Sequence, residues 1–242
     1  MDSYNVYGYN PKAPAQQKNS AYSVSSLMTK VYLWMTLALA MTGLTAFYVA
    51  GNERLFFAII SSQPLFWSLL IGELALVWIF SARITRLSLP VAGAIFAIYS
   101  ILNGVTLSVI LMVYTIQSIA TTFFVTAGTF GAMALIGLTI KKDLSGFGRF
   151  LLMTLIGLII ASVVNLFVGS AVFDWALTYV GVFLFCGLTA YDTQKMKQVL
   201  TQCRAAGESN VLKIALLCSL SLYLDFVNLF LYLLRIFGNR RS

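Results

Sequence analysis

Seven apolar runs, each long enough to cross a bilayer as a helix, leave this 242-residue chain little choice of fold. A helix rises about 1.5 Å per residue, so roughly 20 residues cover a ~30 Å hydrocarbon core. The runs fall at about 27–50, 64–82, 89–114, 119–140, 150–170, 175–194 and 213–236. Backbone polar groups in hydrocarbon must be satisfied internally, which admits helices or closed barrels. Continuous apolar runs of this length, without alternation, are helical. The chain therefore reads as an all-α integral membrane protein. The breaks GNER, RITRLSLP, KKDLSGFGR and the loop from Lys195 to Asn210 are too short to hold a soluble domain. Residues 1–26, with Pro11, Pro14 and a Gln-Gln-Lys-Asn-Ser stretch, carry too little apolar area to pack and read as a disordered tail. Residues 27–238 form one membrane domain, without an internal repeat.

The chain is 60% hydrophobic and 10% charged, where soluble domains carry about 25% charged residues. Its 16 Lys and Arg outnumber its 8 Asp and Glu. They sit between apolar runs rather than in a basic-aromatic stripe, so loop retention in the cytoplasm explains them and nucleic acid is not an expected partner. There is no histidine, which removes Ser-His chemistry, His-zinc sites and a His pH switch together. A pH response near neutrality must then come from carboxylates. The thiols Cys186, Cys203 and Cys218 are odd in number and read as free, structural groups. No cofactor is expected.

Orientation follows the loop cations. An inward N-terminus places Lys12, Lys18, Lys30, Arg83, Arg86, Lys141, Lys142, Arg149, Lys195, Lys197, Arg204 and Lys213 inside, and leaves Arg54, Arg235, Arg240 and Arg241 outside. The positive-inside rule prefers this arrangement. Seven full crossings export the C-terminal arginines, whereas a last helix that enters and returns keeps them inside. The sequence leaves both open.

Two aspartates interrupt the apolar pattern: Asp192 in FLFCGLTAYDTQ and Asp225 in LLCSLSLYLDFVNLFLYLLRIF. An ionisable group within a span is costly and marks ion or proton handling by default. Cys218, Ser221, Asp225, Asn228, Tyr232 and Arg235 recur at spacings of three and four, which puts them on one helix face. Such a stripe belongs against other helices or water. Its structural alternative, for Ser221, Asn228 and Tyr232, is a hydrogen-bond seam between helices. Asp192 could instead be an interfacial acid beside Lys195. Glu73 lies midway along the second span. Arg83, ten residues on, is roughly 80° from it around the axis, and Arg86 falls almost on the opposite face. Arg83 is thus the better inward cation and a geometric candidate to pair with Asp192; a plain positive-inside anchor explains it equally well. Two carboxylates meeting in a low-dielectric site cannot both ionise easily and titrate as a unit. Their oxygens also suit calcium.

These residues carry a resemblance. TFFVTAGTFGAMALIGLTIKKDLSGFGRFLLM (122–153), YSILNGVTLS (99–108), GLTAYDTQ (187–194) and SLYLDFVNLFLYLLRIFG (221–238) are similar to signatures of the transmembrane Bax-inhibitor-motif family, in its bacterial branch. The resemblance spans about residues 20–238. It implies seven helices, six surrounding a central seventh, in the bacterial inner membrane. It also implies a pH-sensitive calcium leak in which Asp192 and Asp225 form the proton-sensing, ion-contacting pair. Arg83, or Arg86, is the matching latch of the closed pore, and Glu73 looks like the family's acid within the second helix. A non-conducting regulator of other membrane proteins, such as a membrane protease, is the second class. An intramembrane aspartyl protease is remote: the second acid lies in Tyr-Leu-Asp-Phe, not Gly-x-Gly-Asp, and no Pro-Ala-Leu element follows. The expectation is a non-enzyme whose partners are lipid, calcium and protons.

Overall fold

The computed structural model describes residues 23–84, 86–203 and 208–241. Eight helices occupy them: α1 (Val24–Gly51), α2 (Glu53–Ser61), α3 (Gln63–Arg83), α4 (Leu89–Val113), α5 (Ile116–Thr139), α6 (Ser145–Val168), α7 (Ala171–Cys203) and α8 (Glu208–Phe237). All but α2 are long and apolar enough to cross a membrane, so the seven expected spans are present among the described residues. Local chemistry sets the boundaries. Ser23 caps α1 by accepting from the Ser26 amide at 3.1 Å, so the helix starts slightly inside the stretch read as tail; residues 1–22 of that stretch lie outside the described residues. Asn52 ends α1 and caps α2. Pro64 and Pro90 sit in the first turns of α3 and α4, where a missing N–H costs nothing. Gly169, at φ 66°, closes α6 in a conformation suited to glycine.

Two sequence expectations need correction. The loop expected from Lys195 to Asn210 is helical as far as Cys203, because α7 continues beyond its apolar stretch as a polar helix. Asp192 therefore lies within a helix rather than at its end. The segment after GNER, expected to be a plain connection, forms α2, whose apolar residues collect on one face.

The last helix does not turn back. After α8, Thr115 donates its amide to the Asn239 carbonyl at 3.0 Å, and Arg241 donates to Val113 at 2.9 Å. The Asn239 amide in turn donates to the Ser118 hydroxyl at 3.0 Å. Residues 238–241 are thus strapped to the α4–α5 connection, three crossings from the start of α1. The two ends of the described chain lie on opposite sides of the membrane domain, and Arg235, Arg240 and Arg241 are on the far side from Ser23.

Helix α8 is the most buried span: 61% of its apolar window is enclosed, against 11–33% for the others. It packs against α1, α4, α5 and α7, while α3 lies on α4 and α6 on α7. Aromatic side chains knit these contacts. The Tyr223 ring meets Phe96 and Tyr99 edge-on at 5.8 Å, and Phe226 meets Phe123 and Phe130 at 5.5 Å. Small residues set the closest approaches, as membrane bundles require. Gly104 of α4 faces the α1 backbone at Thr42, Gly137 of α5 faces Ala190 of α7, and Gly181 of α7 receives the Tyr232 ring.

Candidate functional site

Asp225 lies halfway along α8 and is 5% exposed. Its Oδ2 has no hydrogen-bond partner. Asp192, on the neighbouring α7, is half-buried and close enough that its charge reaches the Asp225 carboxyl. The two carboxyls are not hydrogen-bonded directly to each other. Lys195, one turn along α7, is the cation whose charge reaches Asp192; its ammonium stands 5.7 Å from the Tyr191 ring. Cys218 of α8 is within electrostatic reach of Asp192 and Lys195, and its thiol is free. Next to Asp192 in sequence, Thr193 of α7 has a buried hydroxyl close to that of Tyr32 on α1, without hydrogen-bond geometry. Unpartnered buried polar atoms are rare and need a reason; Asp225 Oδ2 is one of them, and the Thr122 hydroxyl of α5 is another.

Among the described residues no cluster of three or more acids and thiols could hold a metal ion. Two carboxylates fall short of the roughly 6–8 oxygens of a resident calcium site.

The C-terminal end of the helix-eight stripe meets α7. Tyr232 stacks on Phe185 at 5.8 Å. Asn228 donates to its own helix at Leu224, 2.8 Å. Asn228, Tyr232 and Arg235, with Tyr114, line a cavity of about 320 Å³ at the C-terminal end. Arg235 pairs with Asp174 at 3.4 Å, both about half exposed. Ser221 is half-buried on the same face.

Arg83 and Arg86 are both exposed at the end of α3, and Arg83 makes no ion pair with Asp192 in this structure. Glu73, by contrast, is buried and well partnered. The Asn103 amide donates to it at 3.2 Å, and the Thr106 hydroxyl also donates. Tyr223 donates to the Asn103 carbonyl oxygen at 3.0 Å, and Thr42 lies 2.7 Å from the Tyr223 hydroxyl. One polar chain thus runs from α3 through α4 and α8 to α1 in the middle of the bundle. Each link satisfies a polar atom that hydrocarbon would otherwise strand.

Sequence similarity decides the family. Residues 24–242 match the family model described as Inhibitor of apoptosis-promoting Bax1. The chain belongs to this Bax inhibitor family. It is 50% identical over 218 residues to the inner membrane protein YbhL of Escherichia coli K12, covering 90% of this chain and 93% of the relative. An uncharacterized protein of Deinococcus radiodurans is 44% identical over 226 residues, 93% and 95% of the two chains. The Rickettsia prowazekii protein RP147 is 38% identical over 238 residues, 97% and 99%.

Within this Bax inhibitor-family chain, sequence reasoning missed several residues. Asn103 and Thr106, three apart and hence on one face of an apolar helix, carried a readable signal. Thr42 and Tyr223 stand singly among apolar neighbours and carried none. Gln194 was also missed. Its side chain accepts from the Leu144 amide at 2.9 Å and donates to Lys142 and Ile140 carbonyls at 2.9 and 3.3 Å. It clamps the α5–α6 connection to the helix that carries Asp192.

Proposed function

We propose that this chain is a pH-sensitive calcium-leak protein of the bacterial inner membrane, with a cytoplasmic N-terminus, gated by Asp192 and Asp225. The observation that carries the reading is Asp225: a buried carboxyl on the most enclosed helix, one oxygen unpartnered, facing the charge of a second acid on the adjoining helix. The family membership and the inner-membrane relative support it. With both acids ionised, the pair attracts a cation, and Lys195 or an approaching Arg83 can close the Asp192 end. Helix α3 packs mainly on α4 and is among the least enclosed spans, at 12%, so it is the element free to bring Arg83 to Asp192 or withdraw it. A proton on Asp192 cancels the charge that holds the cation, so opening rises as pH falls. Protonating both acids also removes the charge that attracts calcium, which gives a flux maximum at intermediate pH.

The test is calcium entry into liposomes holding the purified protein, measured across a pH series. Asp192→Asn should give a leak with little pH dependence. Arg83→Ala should loosen the closed state while keeping a titration. Wild-type flux and pH profile in Asp192→Asn eliminate Asp192 as the sensor. No flux at any pH in the intact protein favours a non-conducting regulator.

A further inference from the structure

A groove of about 350 Å³ opens between α1, α4 and α5 and reaches α8. Its wall on α1 is Leu39, Gly43, Ala46 and Phe47, and its floor includes Phe226 and Phe230 of α8. The hydroxyl of Thr42, also at the floor, is turned into the Tyr223 network, so the lining is hydrocarbon. The volume is more than twice the ~150 Å³ cavity that accepts benzene. Toward the C-terminal side a second, larger cleft of about 830 Å³ begins, sharing Phe47 and lined by Gly51, Asn52, Glu53 and Arg54. Gly43, Phe47 and Gly51 follow one another at intervals of four on α1, so they form one stripe joining the two spaces.

We infer that this combined groove is a binding site for a single zwitterionic aminophospholipid of the C-terminal-side leaflet, one acyl chain inserted to α8. Three observations identify the occupant. The apolar part lies within the spans, where only hydrocarbon is available to fill it. From Leu39 to Gly51 the groove runs about 18 Å along α1, close to the ~15 Å of one leaflet's hydrocarbon. At its open end Arg54 and Glu53, both exposed and lining the cleft, supply one cation and one anion. That pair complements a phosphate and an ammonium on one headgroup, where a purely anionic headgroup would meet Glu53 unfavourably.

Native mass spectrometry of the purified protein with added phosphatidylethanolamine tests the site. Gly43→Phe and Ala120→Phe fill the groove from opposite walls; a Cβ at Gly43 has nothing within 4 Å and Ala120 is exposed, so neither threatens the fold, and circular dichroism checks this. Gly157→Phe, on lipid-exposed α6, is the control. The wild type and the control should retain the lipid, and each groove variant should bind it at least about tenfold more weakly, a loss of ~1.4 kcal/mol. Replacing both Arg54 and Glu53 with Gln should remove the preference for phosphatidylethanolamine over phosphatidylglycerol. Equal retention in all variants, palmitate binding as well as the phospholipid, or no headgroup preference in the wild type overturns the inference.

Discussion

Gly104→Ala is the sharpest test of the packing. A Cβ at this position would stand 2.5 Å from the Thr42 carbonyl oxygen, 2.7 Å from Thr45 Cβ and 3.2 Å from Thr42 Cα. Ordinary contact begins near 3.4 Å, so α1 and α4 must separate by about 0.9 Å. All three obstructing atoms are backbone or bonded to it and cannot swing aside. Overpacking of this kind costs about 1–3 kcal/mol. The same displacement stretches the Thr42 bond to the Ser100 carbonyl of α4, now 2.9 Å, beyond hydrogen-bond range. With one buried bond lost the total is about 2–4 kcal/mol. At roughly 2–4 °C per kcal/mol for a chain of this size, the unfolding midpoint in detergent should fall by about 5–15 °C. Gly93→Ala on the same helix is the internal comparison. Its Cβ would meet only the Trp34 ring edge, at 3.8 Å, so relief of glycine's entropy should raise stability by about 0.5–1 kcal/mol. Thermal scans by far-ultraviolet circular dichroism read both. A Gly104→Ala midpoint at or above wild type, or equal losses in the two variants, refutes the close α1–α4 crossing.

Tyr223→Phe strands the Asn103 and Thr42 oxygens and should cost about 1–3 kcal/mol, read as a lower midpoint; an unchanged midpoint removes the buried network as a stabilising element. Gln194→Leu frees the α5–α6 connection, so amide exchange at Leu144 should quicken while α8 amides stay protected; unchanged exchange at Leu144 discounts the clamp. The Ser145 hydroxyl, then its amide, donate to the exposed Asp143 carboxyl at 2.7 and 3.0 Å and hold it below the usual carboxylate range. A depressed folded-state pKa contributes stability present above the ordinary value and lost as pH falls through the lowered one. Exchange at Ser145 should therefore quicken in that acid window, and Asp143→Asn should abolish the pH dependence; a pH-independent wild type speaks against the contact. Arg235→Ala breaks a half-exposed pair and should shift stability by only ~0–1 kcal/mol; a larger loss in the thermal scan means the pair is more shielded than its exposure indicates.

The sequence by itself determined that the chain enters a membrane as seven apolar helices, and where its costly acids lie. Those properties depend on runs of composition and on the energy of placing charge in hydrocarbon, which are local and additive along the chain. The family signatures were legible for the same reason. Gly93 and Gly104 look alike in the sequence, and only the crossing of α1 over α4 makes one replaceable and the other not. The reach of α7 past its apolar stretch depends on Gln194 and Lys197, which bond the neighbouring connection and the end of α5. That the last helix crosses fully was undecidable from cation counts, because the strap of residues 238–241 on the α4–α5 connection is a contact between segments over a hundred residues apart. Arg83 had suitable phase on its own helix, yet phase says nothing of which neighbour a helix packs on; α3 lies on α4, and its arginine faces outward. Glu73's partners are legible only in part, since two of its network's four links come from helices remote in the chain. Partner identity in a bundle is set by which faces meet, and that is a property of the tertiary structure alone.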